Sequence, residues 1–264
     1  EKYWKAGKPF FIKTCVATLC TFPLQNSVLL FCTTQLVNMD STDIVKWMPR
    51  KSEFDRIKNQ IDSMNTDQLN EVFEDSLIKS SDILTTDKET TVCIFPGNDR
   101  TPYDMVTIGS GKIAVFYMGF DRYFKSGMAH EYHHSVWMEK HFSKNNYETG
   151  LDYLMVEGQA VMFETFVFPD LNSSYLVVDD GFNNEYWSKV EPYLENSLTG
   201  EFQDMAINGT HGFPKYYCYS EGYKMIRSYL NLYPDMTVEE WTSKSPKEIF
   251  EESNYIANYQ LILQ

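Results

Sequence analysis

MVTIGSGKIAVFYMGFDRYFKSGMAHEYHHSV, residues 105–136, changes its period twice. Residues 105–118 predict a strand, a Gly-Ser-Gly turn or bulge, and a second strand. Residues 123–142 then take up helical spacing. Working outward, TVCIFP (91–96) reads as a strand ending at Pro96, and GNDRTPYD behind it is loop chemistry. Residues 41–83 place Ile44, Trp47, Phe54, Ile57, Ile61, Leu69, Phe73 and Leu77 at helical intervals among charges, which predicts amphipathic helices. Residues 10–38 mix β-branched and aromatic residues with turn formers and suggest strands. Downstream, LDYLMVEGQAVMFETF (151–166) is helical despite Gly158. Residues 169–210 read mostly as loop with a helix near 184–196, and 214–233 return to helix. SPKE (245–248) is a helix start, with Ser245 as N-cap and Glu248 closing a capping box. Helices, then strands, then helices, without βαβ alternation, predict an α+β fold.

The chain has 264 residues, 43% of them hydrophobic and 16% aromatic, enough for a sizeable core. Formal net charge is −14, from 37 acidic and 23 basic side chains. That balance argues against a nucleic-acid-binding face, which needs clustered Lys and Arg. The five cysteines are Cys15, Cys20, Cys32, Cys93 and Cys218, odd in number and without a CxxC pair. Reduced thiols in the cytoplasm are the expectation. The alternative is a secreted or surface-anchored protein whose signal was removed before Glu1. No apolar run is long enough to predict a membrane-spanning segment.

Three of the five histidines crowd into HEYHH, 130–134, and His141 follows. His130, Glu131 and His134 form H-E-x-x-H. Random placement of this composition would yield roughly 0.007 such pentads, so coincidence is a poor account. On a helix the i and i+4 imidazoles share a face and can hold one Zn²⁺. Glu131, set aside from the ion, can act as general base toward water. His133 is also close to His130, but the i, i+4 pair keeps Glu131 in the base position and leaves His133 to support the ligands from behind or to pack. A catalytic zinc usually takes three protein ligands. Glu157, on the next predicted helix among Leu154, Met155, Val156 and Val161, is the best third candidate, because a carboxylate in apolar surroundings needs a partner. Glu148 and Glu164 are weaker rivals. The small Gly158 and Ala160 would let the two helices pack closely.

HEYHH followed by VEGQA, then CYSEGYKMIRSYL and SPKEIFEESNY, resembles the DUF2268 family of predicted zinc-dependent proteases from about residue 91 onward. The resemblance implies a zincin-like α+β fold of the gluzincin type, a small mixed sheet packed on the HExxH helix with a mainly helical C-terminal part, with one Zn²⁺ per chain on His130, His134 and Glu157 and with Glu131 as base. It implies a single metallopeptidase domain, 1–264, with 91–264 as the metal-binding core and 1–90 an N-terminal strand and helical part. Gln159 departs from the apolar residue expected in the E-G-x-A segment. The long Asn-rich stretch 169–213 is another departure and a candidate cover for the cleft.

A peptidase also needs a donor for the developing oxyanion. Tyr219, then Tyr223, i and i+4 in YYCYSEGY, are the candidates, with His211 third. A peptide or protein substrate would add as a strand to a sheet edge, and KIAVFY (112–117) is the expected edge, with Gly109 and Gly111 leaving room. The function expected is zinc-dependent peptide-bond hydrolysis. The alternatives are a catalytically silent zincin-fold binding or regulatory protein, and a hydrolase of non-peptide amides.

Overall fold

The computed structural model describes residues 2–5, 8–12, 50–99, 104–141, 149–170 and 181–260. The expectations for residues 13–38 and 41–49, and for Glu148, lie outside the described residues. The chain divides into two compact units, 1–81 with 86–138 and 82–85 with 139–264.

The first unit carries a five-stranded mixed sheet. Its strands are β1 (Lys2–Lys5), β2 (Lys8–Ile12), β3 (Thr90–Pro96), β4 (Met105–Gly109) and β5 (Lys112–Tyr117), in the spatial order β1-β2-β3-β5-β4. β2, β3 and β5 run parallel, and β1 and β4 are antiparallel additions at the two ends. KIAVFY is therefore not the edge strand expected of it. β5 lies between β3 and β4 and is buried from Ile113 to Tyr117. Its unbroken apolar run is what a strand covered on both faces requires. The edge on this side of the sheet is β4, where a register shift between Thr107 and Gly109 marks a bulge.

Helices α1 (Phe54–Asp62) and α2 (Thr66–Ile83) precede β3, and α3 (Phe124–His141) follows β5. Leu69, Phe73 and Leu77 of α2, Val92 and Ile94 of β3, Ile113 and Val115 of β5, and Met128, Tyr132 and Val136 of α3 are all buried. Phe73 meets Phe124 at 5.8 Å between ring centroids. The Ser76 hydroxyl donates to the Lys125 carbonyl at 2.8 Å, and Lys125 pairs with Asp75 at 2.7 Å. α3 is buried without a break from Met128 to Trp137, so it is a central helix rather than a surface one.

The second unit is helical: α4 (Gly150–Val167), α5 (Asn184–Val190), α6 (Gly200–Asn208), α7 (Tyr217–Leu232), α8 (Val238–Ser243), α9 (Pro246–Glu252) and α10 (Ala257–Gln260). α4 opens on a capping box between Thr149 and Asp152, and α9 on the expected one between Ser245 and Glu248. α6 falls where a loop was expected. Thr199 caps its start and Gly209, at φ 74°, ends it. Asn, Asp and Gly mark helix ends as readily as loops, which is why composition misread the stretch.

Gly158 of α4 meets Gly222 of α7. A Cβ on Gly158 would stand 2.0 Å from the Gly222 carbonyl carbon, and one on Gly222 would stand 1.9 Å from the Leu154 oxygen. The close helix contact expected at Gly158 therefore exists, but its partner is α7. Gln159 is fully buried and donates to the Trp241 carbonyl at 3.3 Å. That is what an amide does at a position expected to be apolar.

Candidate metal centre

Four turns of α3 set the first unit's chemistry. His130 and His134, one turn apart, are both buried. Their Nε2 atoms stand 2.9 Å apart and the rings meet edge to face, with centroids at 4.5 Å and planes at 86°. Two imidazole nitrogens thus converge on one point, as the i, i+4 spacing requires. Tetrahedral ligands on zinc–nitrogen bonds of about 2.0–2.1 Å stand roughly 3.3–3.4 Å apart. A few tenths of an ångström of ring rotation reconciles the two spacings, so the pair fits zinc.

Glu131 is buried beside them. Its carboxylate is turned to the sheet edge, where Oε2 accepts from the Thr107 N–H at 2.5 Å. The Thr107 hydroxyl donates to the Glu131 carbonyl at 2.6 Å. One turn on, the Ser135 hydroxyl accepts from the Gly111 N–H, also at 2.6 Å. His133 is fully buried. The ring of His141, at the end of α3, donates to the Thr242 carbonyl at 2.7 Å and so serves the helical unit's structure.

Glu157 lies on α4, two turns into the helix, half-buried where its neighbours Leu154, Met155 and Val156 are fully buried. Burial pushes the Cys218 thiol of α7 well up from its usual range, and the negative charge of Glu157 adds to that. Glu164 is buried on the last turns of the same helix. Tyr219 and Tyr223 are both partly exposed on α7. The Tyr219 ring packs against Tyr216 at 5.7 Å, and the Arg227 guanidinium lies 5.4 Å from the Tyr223 ring centre. His211 is exposed, with a backbone φ of 56° and its Nδ1 3.1 Å from the Thr210 hydroxyl.

Comparison with known families decides what this pentad belongs to. Residues 69–251 match the DUF2268 family, described as a predicted Zn-dependent protease. The chain belongs to the DUF2268 family. No curated protein and no solved structure matches it. The family match takes in α3, α4 and α7, and so every candidate site residue. Two imidazoles and a carboxylate are also the kind of donor set that zinc takes. In this DUF2268 chain, Thr107 and Ser135 escaped the sequence reading. Thr107 acts partly through its backbone N–H, which every residue but proline has, so side-chain identity could not mark it. Among the described residues no helix is long and apolar enough to cross a membrane.

Proposed function

We propose that this chain is a zinc-dependent peptidase of the gluzincin type, acting on peptide or protein substrates as one domain. His130, His134 and Glu157 are its metal ligands, two buried imidazoles and a half-buried carboxylate. The observation that carries the reading is the convergence of two buried imidazole nitrogens at 2.9 Å on a helix that also presents Glu131. Membership of a family described as predicted Zn-dependent proteases supports it.

A zinc ion held there supplies Lewis acidity, polarising a carbonyl and acidifying water. Glu131 takes the proton of the attacking water and delivers it to the leaving amine. Tyr219 or Tyr223 donates a phenolic hydrogen bond to the oxyanion. An extended substrate adds as a strand to β4, a sheet edge, rather than to β5, pairing through outward groups other than the Thr107 N–H, which Glu131 holds. The buried thiol of Cys218 suits a reducing cytoplasm.

The test pairs metal analysis of the purified protein with hydrolysis of denatured casein and a library of quenched peptides. Glu131→Gln should keep zinc and fold and lose ~10²–10⁴-fold in turnover, the usual worth of general acid–base catalysis. Full turnover in that variant rules out Glu131 as base. A zinc-loaded parent that cleaves no peptide points to a silent binding protein, and one that cleaves only small amides to an amide hydrolase.

A further inference from the structure

In an antiparallel pair, successive residues turn their backbone polar groups alternately toward the partner strand and away from it. The Phe116 N–H donates to the Asp104 carbonyl at 2.7 Å, so Asp104 faces β5. The register runs Met105 to Val115, Val106 to Ala114 and Thr107 to Ile113. Val106 then faces β5 as well, and Met105 and Thr107 face outward. The Thr107 N–H is therefore on the free edge of the sheet, and the Glu131 carboxylate accepts from it.

This contact belongs to a series. Residues 127, 131 and 135 of α3 are spaced by four and share one face. Gly127 makes room for Met105, since a Cβ there would stand 2.4 Å from the Met105 methyl carbon. Glu131 takes both the N–H and the hydroxyl of Thr107, and Ser135 takes the Gly111 N–H. The bulge falls between the last two contacts, after Thr107. Bulges re-aim backbone groups and are frequent beside active sites. Gly111 completes the turn at φ 72°, where a Cβ would stand 2.4 Å from the Glu89 oxygen.

We propose that Thr107 is a positioning residue for the general base. Its edge N–H holds one carboxylate oxygen of Glu131, its hydroxyl holds the Glu131 backbone, and the Gly111–Ser135 bond locks the helix to the hairpin one turn further on. The proposal rests on Glu131 being the base of the peptidase reading. The hydroxyl bond fixes the helix turn from which the carboxylate projects. The N–H bond leaves the second carboxylate oxygen to meet water.

Two measurements decide it. Thr107→Val keeps shape and loses the hydroxyl. It should lower kcat roughly 10-fold, because small misplacements of a catalytic group are costly. KM and zinc content should not move, and Thr107→Ser should restore the rate. Ser135→Ala should lower kcat in the same way. Independently, amide hydrogen exchange followed by NMR should find the Thr107 N–H protected in the parent, unusual for an edge strand, and exchanging at least ~10-fold faster in Glu131→Ala. A parent that cleaves no peptide fails the peptidase reading, and with it the base to be positioned. A parent that cleaves peptides while Thr107→Val keeps full kcat, or a Thr107 amide that exchanges equally fast in both proteins, overturns the positioning role alone.

Discussion

His133 and His134 are neighbours in sequence, both buried, and different in what they face. The Nε2 of His134 lies 2.9 Å from that of His130. His133 is turned away by the helix's rotation per residue, with its ring centroid 6.4 Å from that of His134. His134→Ala should therefore strip most of the zinc, while His133→Ala should keep it and lose stability from the cavity it leaves. Elemental analysis of the two purified variants separates them, and an exchange of behaviour would move the ligand to His133. Glu157→Ala should also lower zinc content, and full occupancy in that variant would remove Glu157 from the proposed set. The histidine pair could be read from the sequence because spacing alone puts i and i+4 on one face. The anchor of Glu131 could not, since it is partly a backbone N–H whose direction depends on strand order.

The crossing of α4 and α7 makes the same point for elements. Gly158 was recognisable as a place for close packing, but its partner was not, because the contact joins residues 64 positions apart that only the fold brings together. Here the geometry leaves little freedom. An added methyl on Gly158 or Gly222 meets backbone atoms at 2.0 and 1.9 Å, and backbone cannot rotate aside as a side chain can. Gly158→Ala and Gly222→Ala should each cost about 1–3 kcal/mol or more, as overpacking does. Gly200, whose added Cβ would meet nothing within 4 Å, should accept alanine without loss. Urea unfolding midpoints of the three variants test this, and equal midpoints would mean that the helices do not cross at the glycine pair. Strand order was the other miss at this scale. The unbroken apolar run of IAVFY is that of a strand covered on both faces, whereas MVTIG is interrupted by Thr107 and ends on Gly109.

At the scale of the chain, the α+β class followed from the order of periods, and helix starts followed from their caps. A buried polar network did not, because it gathers stretches distant in sequence. Glu221 and Lys224 of α7 pair at 2.9 Å with almost no exposure. The Tyr255 hydroxyl donates to Glu221 at 2.6 Å, Tyr259 donates to the same oxygen, and Lys224 reaches the Gly181 carbonyl at 2.7 Å. Burial first, and then the charge of Glu221, raise the Tyr217, Tyr255 and Tyr259 hydroxyls above their usual range. Removing one partner of such a buried pair typically costs about 3–5 kcal/mol, so Lys224→Met should be strongly destabilised. The tyrosines add a pH dependence whose sign is determined. Their folded pKa lies above the unfolded value of about 10, so the folded state keeps protons that the unfolded state gives up. That contribution is complete below pH about 10 and declines as pH rises beyond it. Denaturant unfolding at pH 8 and near pH 11 should show the parent losing stability. Tyr255→Phe, less stable at pH 8 because Glu221 loses a donor, should lose less over the same interval. The two curves should converge toward high pH. Curves that stay parallel would mean that the Tyr255 proton is not held by the fold.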